Sequence, residues 1–478
     1  MTIVWILLVA LVCLIGVLVA RALAFRPQEE ALPTAEPFPV DVQAATAHLQ
    51  AMIRCKTISD ADEARIDTAE FVKFQALLRQ LYPATTTLCE PRIIGMHGIL
   101  MRWKGQSSAA PSVMMAHYDV VPVNQEDWTR PAFEGLIENG ELWGRGTLDT
   151  KCTLLGVMEA AEVLIKRGFV PKNDVYFAFG GNEECMGTDA EAIVRELERL
   201  NVHPAFVLDE GGAVVEGVFP GVKRPAAVIG IAEKGSAFID LTVLGKGGHA
   251  SAPPAQQCVG TLARALSRLE KHAFPFHITA PAQKLFNVMG RHAPFGLRLV
   301  FANLWCFAPL LNLLCKKSGG ELNALVRTTC AFTKLRASDA YNVLPSQCKA
   351  GVNLRILCEE SMESVQKRMS RIIADDTVKI SLVHGSEPSP ISLTSGEPWE
   401  RLSAAIHQTY PEALVAPYLM LAGSDSRHYA RICEHVYRFS GMPLTKAQRG
   451  MIHNADERIP LALIGDAVAF FGLVLQAS

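Results

Sequence analysis

Three short apolar runs in the chain each end in groups that could do chemistry. Residues 113–116 lead to His117-Tyr118-Asp119, and residues 175–179 lead past Gly180-Gly181-Asn182 to Glu183-Glu184. Residues 205–208 lead to Asp209-Glu210-Gly211-Gly212. Two more candidates stand apart: Asp149, in the glycine-bearing run Gly144-Arg145-Gly146-Thr147-Leu148-Asp149, and His453, which heads His453-Asn454-Ala455-Asp456-Glu457-Arg458. Imidazole nitrogen and carboxylate oxygen are both potential metal ligands. The adjacent glutamates allow one carboxylate to bind metal while its neighbour acts as a base. Taken singly, each has a plainer reading. Asp149 can cap a helix, the glutamate pair can sit at a helix N-terminus, and a lone histidine is usually structural. It is the combination that favours a metal site.

The elements that must position these groups alternate in type. The three apolar runs are short and end in polar residues, as buried strands do. Between the first two lies a helix predicted over residues 153–167, with Leu154, Leu155, Met158, Ala161 and Leu164/Ile165 on one stripe and Lys166-Arg167-Gly168 at its end. Strand, helix, strand order predicts an α/β fold with a mostly parallel sheet, whose strand C-termini are where ligands gather. From about residue 229 the pattern changes: a strand over 237–244, a helix over 258–272 and a strand over 350–356 predict a small inserted α+β domain. The expected division is therefore 41–228 and 357–478 for the catalytic domain, with 229–356 inserted. Within the insert, residues 295–315 are strongly apolar but hold Arg298, Asn303 and Pro309. That argues against a second membrane span and for lid helices or an apolar substrate wall.

Composition sets the outer limits. The 478 residues carry 46 basic and 48 acidic side chains, and 49% are hydrophobic, which excludes a disordered chain. A net charge of −2 gives no reason to expect a nucleic-acid partner. The mean hydropathy of +0.18 is high, and roughly three-quarters of it comes from residues 1–25. There, Ile3 to Ala20 runs without a charge, long enough as a helix to cross most of a bilayer core of about 30 Å. An uncleaved anchor fits better than a cleaved signal peptide, since only the amino terminus supplies positive charge before the run, although Ala22-Leu23-Ala24 resembles a cleavage site. Arg21 and Arg26 follow the run and by the positive-inside rule favour a cytoplasmic body. Residues 26–40, with four prolines, read as an extended stalk. None of the 12 cysteines forms a C-x-x-C pair, which removes zinc-ribbon and thioredoxin readings.

From about residue 40 to the C-terminus, these motifs resemble, in order, the dinuclear zinc peptidase family of aminoacylase, glutamate carboxypeptidase, succinyl-diaminopimelate desuccinylase and carboxypeptidase S. The run Leu208-Asp209-Glu210-Gly211-Gly212, the apolar insert segment and the N-terminal hydrophobic segment are most similar to the carboxypeptidase S and N-fatty-acyl amino acid hydrolase branch. The resemblance implies two zinc ions per chain. His117 and Asp209 would hold one, Glu184 and His453 the other, and Asp149 would bridge them, while Asp119 orients His117 and Glu183 is the general base. Two zinc ions about 3.5–4 Å apart bring the pKa of a shared water to about 7.

The same resemblance assigns the inserted domain its part. Gly247-Gly248-His249-Ala250-Ser251 matches a lid motif whose histidine, His249, steadies an oxyanion, with homodimer contacts through that domain. Asn342 and Arg355 match substrate-facing positions, and Arg427, in Gly423-Ser424-Asp425-Ser426-Arg427-His428-Tyr429, matches a carboxylate-recognition loop. Taken alone, His249 reads as a turn residue and any single arginine as a surface one. Asn182 departs from the acidic residue usual before the glutamate pair, Ser424 stands where Thr is common, and Cys152 and Cys185 flank key groups. The expected activity is cleavage of an amide beside a free carboxylate, releasing a C-terminal amino acid from a short peptide or, alternatively, from an N-acyl amino acid. The rival is an inactive, membrane-tethered binding protein. The family resemblance favours an extracytoplasmic or lumenal body, against the charge rule.

Overall fold

The computed structural model describes residues 1–27, 36–217, 219 and 221–478. Most of the expected stalk over 26–40 lies outside the described residues. The central sheet runs, edge to edge, through strands Arg92–Ile94, Gly98–Trp103, Asn173–Gly180, Ser107–His117, Phe206–Asp209, Val436–Arg438, Ala226–Glu233 and Leu414–Met420, with the short Val214–Val215 beside Ala226–Glu233. At its centre, Asn173–Gly180, Ser107–His117, Phe206–Asp209 and Val436–Arg438 are mutually parallel. Their side chains are apolar on both faces because helices cover both faces, which is why they read as unbroken apolar runs.

The helix Lys151–Lys166 is one residue earlier at its end than expected and two earlier at its start. It packs against the C-terminal helix Leu461–Gln476. Gly156 permits that crossing: a Cβ there would lie 2.8 Å from the Phe471 ring and 3.3 Å from the Ala467 backbone. The Lys151–Lys166 helix thus fixes, from behind, the loop that carries Asp149.

The second domain is a four-stranded antiparallel sheet in the order Thr329–Arg336, Gln347–Ile356, Gly235–Leu244, Val378–Ser386. Helices Cys258–Lys271 and Met362–Ile373 pack on it around a core of its own. The expected bounds of 229–356 shift at both ends. Residue 229 lies inside Ala226–Glu233, which pairs with Leu414–Met420 in the central sheet. Beyond 356, Met362–Ile373 and Val378–Ser386 belong to the second domain through pairing with Gly235–Leu244. Only Lys234 separates a central-sheet strand from a second-domain strand, so the sequence offers no break there. The chain returns beside it, where Ser389 Oγ accepts from Glu233 N at 2.8 Å.

The apolar segment 295–315 is not placed as a lid or substrate wall. Helices Phe295–Ala302 and Leu304–Ser318 meet at 111°. The first packs against the N-terminal helix Thr2–Ala24 and against Ala280–His292, which in turn lies on the Leu414–Met420 edge of the sheet.

Candidate active site

Each strand of the parallel centre releases its site residue where the strand stops. His117 is the last residue of its strand, and its Nε2 lies 3.0 Å from Asp149 Oδ1. The other Asp149 oxygen, Oδ2, lies 3.0 Å from His453 Nε2, which also meets Glu184 Oε2 at 2.9 Å. Asp149 therefore spans two imidazoles with its two oxygens. His117, Asp149 and Glu184 present ligand atoms that all lie within 4.8 Å of one another.

Asp119 organises this cluster from beneath. It is fully buried, accepts Glu183 N at 3.2 Å and Glu184 N at 3.1 Å, and takes the Ser59 hydroxyl at 2.7 Å. One carboxylate thus ties the His117 strand to the glutamate pair. His117 Nδ1 lies 3.1 Å from the Asp119 carbonyl and 3.4 Å from its carboxylate, leaving Nε2 to face the cluster.

His453 is reached differently. It has φ +62°, a left-handed conformation that histidine tolerates better than most residues. Glu457, four residues on and fully buried, holds the two loops together. Its Oε2 accepts from Arg145 Nη1 at 2.6 Å and Gly146 N at 3.0 Å, and its Oε1 from Leu148 N at 2.7 Å and Asp149 N at 3.2 Å. Gly146, at φ +91°, is where that turn needs glycine.

Asp209 ends the third strand, but both its oxygens are engaged by backbone amides: Glu210 N at 2.9 Å and Ser426 N at 3.0 Å. From the same strand end, Glu210 Oε1 also approaches His117 Nε2, at 4.0 Å. A buried pair lies behind, with Arg438 Nε 2.7 Å from Glu233 Oε1, which also accepts the hydroxyls of Ser424 and Ser426. Arg427 belongs to the same loop, its Nη1 donating to Ser424 O at 2.8 Å.

The charges are crowded. Burial raises the carboxyl groups of Glu183 and Glu210 well above the usual range, reinforced by neighbouring carboxylates and opposed by His117. Burial and Asp209 push Asp425 up to about 7, against the pull of Arg427. Burial opposes ionisation of Asp149 too, yet hydrogen bonds from His117 and His453 hold its carboxyl below the usual range. A concentration of buried carboxylates facing two imidazoles is stabilised by cations. Glu184 Oε1 is buried with no hydrogen-bond partner, as a ligand atom would be. The donor set of hard oxygens and imidazole nitrogens fits zinc.

The remaining expected residues lie elsewhere. His249 is exposed, and its ring meets Ser251 Oγ at 2.7 Å. It pairs with Val343 in a two-stranded ribbon, so that Asn342 O accepts from Ala250 N at 3.0 Å. Arg355 lies on the second-domain strand opposite Ser236 and Thr329. The fold thus brings His249 and Asn342 together, but apart from the His117–Asp149–His453 cluster. Glu210, Asp425 and Glu457 were missed in the sequence. Glu210 carried a signal, standing beside Asp209 at a strand end. Asn182, the departure before the glutamate pair, accepts Asp189 N at 3.2 Å and so steadies the following helix. Cys152 is wholly buried, and burial pushes its thiol up to about 12.

The family model for peptidase family M20/M25/M40 matches residues 113–477. A probable carboxypeptidase S-like protein of Dictyostelium discoideum is 36% identical over 87% of this chain and 81% of its own length. An N-fatty-acyl-amino acid synthase/hydrolase of Xenopus tropicalis is 35% identical over 90% of this chain and 85% of its own. Among solved structures, an M20 metallo-carboxypeptidase from Sulfolobus solfataricus shares the fold at TM-score 0.67 and 17% identity, covering 91% of this chain and 99% of that one. Human carnosine dipeptidase 1 does so at 0.62 and 14%, with 91% and 97% covered.

Proposed function

The chain belongs to peptidase family M20/M25/M40, and from that premise we propose that it is a two-zinc amidohydrolase cleaving the amide next to a free carboxylate. The observation that carries this reading is Asp149, whose two oxygens each meet a different imidazole at 3.0 Å. In the proposal His117 and Asp209 would hold one ion and Glu184 and His453 the other, with Asp149 shared between them. Zinc bound there polarises the amide carbonyl and makes a water acidic near neutral pH. Glu183, kept proton-hungry by burial and by its carboxylate neighbours, takes the proton of the attacking water and passes it to the leaving amine nitrogen. Asp119 fixes Glu183 through its backbone amide and stays out of the chemistry. Arg427, with Asn342 and Arg355 of the second domain, recognises the substrate carboxylate, and His249 steadies the oxyanion once the second domain closes or a second copy supplies it.

Two substrate classes fit this chemistry. Short peptides accord with the carboxypeptidase S-like relative, and N-acyl amino acids with the N-fatty-acyl-amino acid synthase/hydrolase relatives. The N-terminal helix Thr2–Ala24 serves as a membrane anchor in this reading, exposed from Thr2 to Val17. Zinc-loaded full-length protein, assayed on matched dipeptides and N-fatty-acyl amino acids, separates the two; cleavage of neither sinks the proposal. Glu183→Gln should retain the wild-type zinc content while turnover falls by about 10²–10⁴-fold. Undiminished turnover would remove Glu183 as the base.

A further inference from the structure

The hairpin made by Phe295–Ala302 and Leu304–Ser318 exposes a broad apolar face. Trp305 is 60% exposed, Leu313 63% and Leu314 55%, with Phe295 and Leu310 also exposed. A surface of this kind marks a partner.

Three features identify the partner. The first is continuity. The hairpin corner is locked onto the end of the apolar N-terminal helix: Asn303, fully buried, donates from Nδ2 to Leu18 O at 3.0 Å, and Arg21 donates from Nε and Nη2 to Ala302 O at 3.2 and 3.0 Å. The Arg291 guanidinium lies 4.7 Å from the Phe25 ring and donates to Arg26 O at 2.9 Å. These contacts hold the two apolar surfaces in one fixed relation. The second is charge. The hairpin itself, residues 295–318, holds no acidic residue and carries Arg298, Lys316 and Lys317, of which Lys316 and Lys317 are exposed. Such a surface suits anionic headgroups and is a poor match for a basic protein. The third is level. Arg21 ends the uncharged run, which puts the corner at the headgroup boundary, where tryptophan is at home.

We propose that the Phe295–Ser318 hairpin is a second membrane contact, lying in the plane of an anionic phospholipid interface beside the N-terminal helix. The inference rests on that helix being an anchor. An in-plane hairpin adds apolar area to one leaflet without a second crossing, and the two contacts together fix how the body is turned relative to the membrane. The 111° bend turns Leu304–Ser318 away from Phe295–Ala302, the helix that packs on the anchor, so that the pair does not form one continuous span.

Two single replacements keep the folded chain intact and separate the inference from its premise. Full-length protein is reconstituted into vesicles of phosphatidylcholine and phosphatidylglycerol carrying brominated acyl chains. The emission of Trp5 and of Trp305 is obtained by difference from Trp5→Phe and Trp305→Phe. The expected result is loss of both emissions in brominated vesicles, with Trp305 also shielded from aqueous acrylamide. If Trp5 is quenched but Trp305 is not and remains open to acrylamide, the anchor stands and the hairpin contact is overturned. If Trp305 is shielded from acrylamide yet untouched by brominated lipid, a second protein surface covers it, and the inference is again overturned. If neither tryptophan is quenched, the anchor reading itself fails and takes the inference with it.

Discussion

Replacing Glu457 by glutamine tests whether the site is assembled by one buried carboxylate. The change alters volume little but converts one acceptor oxygen into an NH2 donor. In one amide orientation the donor confronts Arg145 Nη1 and Gly146 N, 2.6 and 3.0 Å from the original oxygen. In the other it confronts Leu148 N and Asp149 N, at 2.7 and 3.2 Å. Either way two buried donors lose their acceptor, at about 1–3 kcal/mol each. The Arg145 guanidinium, 3% exposed, also loses its counter-charge, and a buried pair broken on one side costs about 3–5 kcal/mol in all. The penalty falls on the turn that carries Asp149 and on the loop that carries His453. Zinc binding, read by competition with a chelator, should therefore weaken by about 10–100-fold, the range expected when a group supporting metal ligands is lost. Hydrogen exchange at Gly146, Leu148 and Asp149 should accelerate in the same protein. Adding Arg145→Met removes the uncompensated charge, so the double variant should bind zinc better than the sum of the single effects predicts. Wild-type zinc affinity and unchanged exchange in Glu457→Gln would refute the argument.

The carboxylates at the end of the Phe206–Asp209 strand can be separated by metal content. Asp209→Asn should lower the zinc bound per chain, whereas Glu210→Gln should leave the count and shift turnover; the reverse pattern would make Glu210 the ligand. Stability should also depend on pH through Lys234. Burial, with Arg355 nearby, lowers its ammonium from 10.5 to about 7. Between about pH 7 and 10.5 the unfolded chain binds the extra proton, so stability rises with pH across that window. Lys234→Met should flatten that rise in thermal melts followed across the range, and an unchanged slope would clear Lys234 of the effect.

The parts of this site visible in the sequence share a physical cause. His117, Glu184 and Asp209 each follow an apolar run short enough to be a buried strand, and parallel topology brings their C-termini together. His453 had no such local signal and was recognisable only by resemblance. Glu457 was written in the same motif, but its partners lie about three hundred positions earlier, at Arg145–Asp149, where no periodicity connects them. The second domain's bounds were misplaced for a related reason. Two strands run on through Lys234 with no loop between them, and Val378–Ser386 is an exposed-faced strand lacking the alternation that would announce it. Apolar composition makes residues 295–315 an expected lid or substrate wall, but composition does not say which neighbour buries them.

The passage at Lys234 separates two mechanical regimes. On one side Glu233 is staked by Arg438, Ser424 and Ser426, and through Ser426 to Asp209. On the other, the Gly235–Leu244 strand belongs wholly to the second domain. In the proposed mechanism, a bend at Lys234 that carried His249 inward would leave the hydrogen bonds from Glu233 to Ser424 and Ser426, and from Ser426 to Asp209, in place. Opening for product and keeping the ions would then be independent operations.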